Sequence, residues 1–234
     1  MITDFHSHIL PQIDDGSASL EESIAMLRME AEQGIGHVVA TPHFYARHDS
    51  PERFLERRFR AEARLREEME KHPGLPKVSI AAEVRFFSGI SDCDALRALT
   101  INEKGCILLE MPESAWTDSM YREIEQIYWK QGLTPVIAHV DRYLSPLFDH
   151  GIPKRLEALP VAVQANASFF LRRSTVGMAV RMLRREQIHV LGSDCHNLDR
   201  RPPNMGQAIA CIQRRLGETA IQQLQHNAQR ILSV

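Results

Sequence analysis

Seven short apolar runs, each five or six residues long, punctuate this chain at residues 1–5, 36–41, 78–82, 106–111, 134–138, 161–165 and 188–192. Between most of them lie longer stretches in which apolar residues recur every three or four positions, at 20–32, 51–71, 118–131 and 173–185, with two more at 204–216 and 218–232. Short buried strands alternating with amphipathic helices predict right-handed βαβ units around a parallel sheet. The helix starts are signposted. Ser19 stands before the first helix with Glu22 three residues on, the spacing of a capping box, and Ser50-Pro51-Glu52 opens the second.

At 234 residues, 44% of them hydrophobic, the chain can close one sizeable core. That length suits a single α/β barrel or a large open α/β sheet. No repeat, linker or low-complexity tract divides it, so residues 1–234 read as one domain. The mixed-sign stretch ERFLERRFRAEARLREEMEK reads as the solvated face of the second helix, with Phe54, Leu55, Phe59 and Leu65 turned toward the sheet. A net charge of -2 gives no basic stripe for nucleic acid. No run reaches the length of a transmembrane helix, and the acid at position 4 does not suit a signal peptide. Cys93, Cys106, Cys195 and Cys211 lack paired spacing, which fits reduced thiols and a cytoplasmic location.

The chemistry lies at or just past the ends of these runs. His6, His8 and Asp15 come after the first, in DFHSHILPQIDDG; His43 comes after the second; Glu83, Glu110 and His139 come after the next three; Asp194 and His196 come after the last. Six of the seven runs thus lead into a metal-type ligand. Parallel α/β folds gather the C-terminal ends of their strands on one face, so residues spread over the chain should converge there. Nine nitrogen and oxygen donors without thiolate exceed what one ion needs and suit two or three Mn²⁺, Fe²⁺ or Zn²⁺ ions. Such ions turn water into hydroxide near neutral pH and clamp phosphoryl oxygens. Arg142 and Arg201 stand beside the ligands and offer guanidinium forks for a phosphate, with Arg200 as a competitor for the second. His37, His48, His72, His150, His189 and His226 do not fit the pattern and read as structural or surface residues, His48 near the rim. Cys195 and Arg201 also make a Cys-x5-Arg spacing, the mark of thiolate phosphatases. The intervening HNLDR has no glycine and carries Asp199 where a phosphate cradle would need bare backbone amides.

The segments DFHSHILPQIDDG, ATPH, AAEVRF, LLEMP, AHVDRY and GSDCHNLDRRPP resemble, in order, the motifs of the PHP superfamily (polymerase and histidinol phosphatase). More closely, they are similar to its branch of manganese-dependent bacterial protein-tyrosine phosphatases, which act with tyrosine kinases controlling capsular and extracellular polysaccharide synthesis. The resemblance implies a distorted (β/α)₇ barrel, TIM-barrel-like, with its metal site at the C-terminal ends of the strands. It implies His6, His8, Glu83 and Asp194 on one ion, Glu83 bridging to a second held by Glu110 and His139, and Asp15, His43 and His196 on a third. It also implies Arg142 and Arg201 as the catalytic, phosphate-contacting arginines, and a supporting role for Asp14. The chain departs from the pattern at Phe44, at Val140-Asp141 and at Cys195. The expected function is hydrolysis of phosphotyrosine by a metal-activated hydroxide, with a bacterial tyrosine kinase as the protein substrate and Asp141 or a bound water as proton source. The alternatives are a small-molecule phosphomonoesterase such as a histidinol-phosphate phosphatase, and a regulatory module that holds a kinase.

Overall fold

The computed structural model describes residues 1–144 and 151–233; His150 lies outside them. Its strands are β1 (Ile2–Ser7), β2 (Ile35–Ala40), β3 (His43–Phe44), β4 (Lys77–Ile80), β5 (Glu83–Arg85), β6 (Cys106–Glu110), β7 (Thr134–Ile137), β8 (Ala162–Asn166) and β9 (Val190–Gly192). All pairings between them are parallel. β6 and β8 are buried at every position, as expected of parallel strands covered on both faces.

Two of these breaks are interruptions of a single strand. Pro42 separates β2 from β3 because proline has no N–H for the ladder, yet its carbonyl still accepts from Glu83 N at 3.0 Å. β4 and β5 are parted at residues 81–82, where Ala82 N turns to Leu99 O. Counting β2 with β3 and β4 with β5, the pairings run in chain order from β1 to β9. They then return to β1 through a Ser7–Cys195 bridge, with His8 N donating to Cys195 O at 2.9 Å. The sheet is therefore curled into a barrel whose last link is the shortest. Phe5, Val39, Leu108, Val136 and Val190, from five different strands, share one apolar cluster that fills the ring, joined at its base by Ala228 and Ile231.

The helices are α1 (Leu20–Glu32), α2 (Pro51–Glu70), α3 (Asp118–Gln131), α4 (Ile152–Leu156), α5 (Val176–Arg184), α6 (Met205–Leu216) and α7 (Glu218–Leu232). α1, α3 and α7 match the expected spans, and Lys71 and Asn204 prove to be caps rather than helical residues. Ser19 caps α1 by accepting from Glu22 N at 3.2 Å, but the Glu22 carboxylate accepts from Ala18 N rather than from Ser19 N. The connection from β5 to β6 departs from βαβ regularity: three 3₁₀ turns, Ile90–Asp92, Asp94–Leu99 and Ile101–Glu103, replace a helix.

Phe59 corrects the sequence reading. The buried stripe of α2 is Phe54, Arg58, Ala61 and Leu65, while Phe59 is 71% exposed. One residue is about 100° around a helix, so Phe59 cannot share the face of Arg58. Arg58 is buried instead because its guanidinium donates to Ala81 O at 3.2 Å and Ala98 O at 2.9 Å, closing main-chain acceptors at the break between β4 and β5. None of the helices among the described residues is long and apolar enough to cross a membrane.

Candidate metal centre

All nine candidate ligands meet at one end of the barrel. His6 leaves β1 where its register with β2 slips, an irregularity that re-aims side chains. His43 opens β3, Glu83 opens β5, Glu110 ends β6, and His139, Asp194 and His196 lie just beyond β7 and β9. His139 and Asp194 take left-handed backbone conformations, at φ 32° and 55°, a cost that marks positions held in place by their surroundings.

The contacts are dense. His6 Nε2 lies 3.1 Å from His8 Nε2 and 3.2 Å from Glu83 Oε2. Glu83 also reaches His43 Nδ1 at 2.8 Å and, through its other oxygen, His139 Nε2 at 2.8 Å. Glu110 Oε1 lies 3.8 Å from His139 Nε2. Asp15, the exposed member, stands 3.4 Å from His43 Nε2 and 3.5 Å from His196 Nε2. Eight of the nine candidates fall into three overlapping groups with donor atoms within 4.8 Å of one another: His8, Asp15, His43 and His196; His6, His8 and Asp194; and His43, Glu83 and Glu110, while His139 joins through its contact with Glu83. His8 and His43 each belong to two.

These residues fit metal ions on a specific observation. His43 Nδ1, Glu83 Oε2, Glu110 Oε2 and His196 Nε2 are buried and make no hydrogen bond of proper geometry, His43 Nδ1 and Glu83 Oε2 being crowded to 2.8 Å of each other. Buried polar atoms without a hydrogen bond are rare and costly, and four of them gathered in one cluster fit places for cations. Two imidazole nitrogens facing each other across 3.1 Å have the same meaning. The charges are mutually tuned. Burial alone would raise the Glu83 carboxyl, but His6, His139 and His43 hold it well below the usual range. Burial would lower His8, yet its bonds to Asp14 and Glu83 push it up to about 10. Burial, His8 and Arg201 press His196 down to about 4.

Around the ligands lies a layer that the sequence pattern only partly exposes. Asp14 accepts from His43 N and Gly16 N and sits 2.7 Å from His8 Nδ1, directing the other ring nitrogen into the cluster. A side chain at Gly16 would collide with His8. Gln164 and Asn166 went unnoticed because β8 is the strand that brings no ligand. Gln164 Oε1 accepts from His139 N at 2.5 Å, its amide donates to Asn166, and Asn166 Nδ2 donates to Asp194 Oδ2 at 3.0 Å. Tyr143, fully buried, sets its hydroxyl 3.1 Å from His139 Nδ1. Asn197 Oδ1 accepts the main-chain N–H groups of Asp199, Arg200 and Arg201, folding the last loop back. Asp14, Asn197 and Tyr143 stand one to four residues from a candidate ligand, which was the available signal for them; Gln164 and Asn166 carried none.

Both arginines are brought to the cluster on one residue: Arg142 pairs with Asp194 Oδ2, and Arg201 with Oδ1 at 2.5 Å. Arg200 remains exposed. Cys195 is fully buried, and burial together with Asp4 and Glu30 pushes its thiol well above the ordinary value, the opposite of an attacking thiolate. Asp141 accepts from Asn166 N at 2.9 Å, and burial raises its carboxyl.

Fold and cluster together define the class: an α/β barrel with a candidate metal centre at the C-terminal ends of its strands. A family model described as capsular polysaccharide synthesis, CpsB/CapC, matches residues 2–233, and the chain belongs to that family. It is similar to the tyrosine-protein phosphatase CpsB of Streptococcus agalactiae serotype III (strain NEM316), at 29% identity over 98% of this chain and 97% of that one. It is similar also to the tyrosine-protein phosphatase YwqE of Bacillus subtilis (strain 168), at 27% identity over 98% and 91%. A solved structure from work on YwqE of Bacillus subtilis and CpsB of Streptococcus pneumoniae, described as unique metal-dependent tyrosine phosphatases, shares the fold with a TM-score of 0.84, at 24% identity over 99% of this chain and 94% of that one.

Proposed function

We infer that this chain is a metal-dependent protein-tyrosine phosphatase acting in capsular or extracellular polysaccharide synthesis. The observation that carries the reading is the set of buried donor atoms without a hydrogen bond on His43, Glu83, Glu110 and His196, directly beside two arginines that share Asp194. The family and the named activity of the relatives support it. The ligands are His6, His8, Asp15, His43, Glu83, Glu110, His139, Asp194 and His196, and their nitrogen and oxygen donors suit manganese, with iron or zinc as alternatives. When bound, the ions supply Lewis acidity: they lower the pKa of water and neutralise phosphoryl charge.

The chain's own residues do the rest. Arg142 and Arg201 converge on the two oxygens of one carboxylate, so both forks aim at one spot in the mouth of the cluster. A phosphoryl group there receives charge-assisted hydrogen bonds where charge accumulates in the transition state. Both side chains are about one-third exposed, 30% and 38%, and open to a substrate. A phenol leaves at a pKa near 10 and needs less acid assistance than an alcohol. Asp141, its carboxyl raised by burial, retains a proton to higher pH than an exposed aspartate. We assign the protein to the cytoplasm and its substrate to the phosphotyrosine tail of a bacterial tyrosine kinase.

The test is hydrolysis of a phosphotyrosine peptide by protein prepared without chelator, with Mn²⁺ or EDTA, beside His139→Ala and Cys195→Ser. Activity should need metal, survive Cys195→Ser and collapse in His139→Ala. Activity that persists in EDTA and dies with Cys195→Ser would sink the metal reading.

A further inference from the structure

Tyr45, just past β3, stacks its ring on His43 with centroids 5.1 Å apart and planes 26° from parallel. It stands as a ridge between two clefts on the ligand-bearing face of the barrel. On one side a cleft of about 350 Å³ is bordered by Asp14, Asp15 and Asp49, and its one arginine, Arg57, is taken by Asp49 at 2.7 Å. On the other side lies a cleft of about 440 Å³ whose floor is Phe86, Phe87, Pro112 and Met120. Among the described residues, no acidic side chain lines this second cleft. Its titratable neighbours are Arg47, His48, Arg85 and Tyr45 itself.

The second cleft adjoins the metal centre: Arg85, on its wall, is paired with the candidate ligand Glu110, Nη1 to Oε1, at 2.8 Å. Arg47, at its outer edge, is exposed and forms no ion pair among the described residues. The volume falls in the range of specific ligand sites, roughly 300–1,000 Å³. An apolar floor under a cationic rim fits a peptide that is apolar on one side and acidic on the other. The carboxylate-lined cleft across Tyr45 repels the same peptide, which fixes the direction in which it runs.

We propose that this cleft seats the residues flanking the phosphotyrosine, and that it selects substrates whose flanks are acidic and apolar. The inference rests on the phosphatase reading and names the substrate class of that site: an apolar side chain on Phe86, Phe87 and Met120, and a carboxylate against Arg47.

The experiment compares Mn²⁺-loaded protein on phosphotyrosine peptides with acidic, neutral and lysine-rich flanks, and on p-nitrophenyl phosphate, which is too small to reach Arg47. Arg47→Glu and Arg47→Lys run beside the wild type. The wild type should favour the acidic peptide over the basic one by about tenfold in kcat/KM, mostly through KM, and less at high salt. Arg47→Glu should abolish or invert the preference, Arg47→Lys should keep it, and p-nitrophenyl phosphate turnover should stay unchanged in both. Equal kcat/KM on all three peptides, or an unaltered preference in Arg47→Glu, overturns the inference and leaves the phosphatase reading standing. If the wild type hydrolyses no phosphotyrosine peptide at all, both fall together.

Discussion

The carboxamide oxygen of Gln164 stands 3.3 Å from Nδ1 of His6. An acceptor at that nitrogen keeps the proton on Nδ1 and leaves Nε2 bare toward Glu83 and Asp194. Because the same oxygen takes the main-chain N–H of His139, one side chain orients two candidate ligands from opposite sides of the ring. Gln164→Leu should keep the circular dichroism spectrum while Mn²⁺ affinity, read by calorimetric titration, falls about 10- to 100-fold. Unchanged affinity would reduce Gln164 to a packing residue.

The two guanidinium groups on Asp194 make a second, kinetic prediction. Lysine keeps the charge of Arg142 or Arg201 but not the planar fork. Each arginine-to-lysine substitution should lower kcat/KM for a phosphotyrosine peptide by roughly 10- to 100-fold, the equivalent of one charge-assisted hydrogen bond. Metal content, measured by emission spectrometry, should not change. Arg200→Lys, one residue away and exposed, should behave as wild type.

Glu30 gives stability a pH dependence. Its side chain is buried beside the buried carboxyl of Asp4 and faces no cationic side chain among the described residues. Burial, reinforced by the neighbouring Asp4, raises the carboxyl from 4.5 to about 10. The folded chain therefore holds this proton at pH values where the unfolded chain has lost it. The contribution is fully present below the unfolded value and declines as pH climbs toward the folded one, by at most about 1.4 kcal/mol per pH unit. Glu30→Gln should flatten the fall in urea stability of chelator-treated protein between about pH 5 and pH 9. A wild-type profile already flat over that window would refute it.

The two phenylalanines of α2 separate core from surface. Phe54 is fully buried and Phe59 is 71% exposed. Phe54→Ala should cost about 3–5 kcal/mol in denaturant unfolding, whereas Phe59→Ala should stay within about 0.5 kcal/mol. Similar losses at both sites would place Phe59 in a packed interface.

Much of this was legible in the sequence, and the reason is local. A ligand at the end of an apolar run can be read because strand ends in parallel folds share a face, and so His6, Glu83 and Asp194, far apart in the chain, could be grouped before any coordinates. Backbone signals such as Ser50-Pro51 fixed helix starts for the same reason. Gln164, Asn166 and Tyr143 were not legible. They are ordinary buried residues until the strand next door is known, and their importance lies wholly in partners more than twenty residues away or on another turn of the loop. Phe59 misled because a helix with apolar residues at 54, 55, 59 and 65 admits two stripes, and only the main-chain acceptors at Ala81 and Ala98 decide that Arg58 faces inward.

The barrel is closed by its first and last strands, through the bridge from Ser7 to Cys195. The donors that flank that bridge, His6 and His8 on one side and Asp194 and His196 on the other, are separated by nearly the whole polypeptide. During synthesis, the first pair leaves the ribosome long before the second. A partly made chain can set Asp14 and Glu83 against the two histidines, but it cannot gather the full donor set until β9 and the turn that follows it are out. The site is thus completed by its latest-made donors, Asp194 and His196, which no earlier segment can replace.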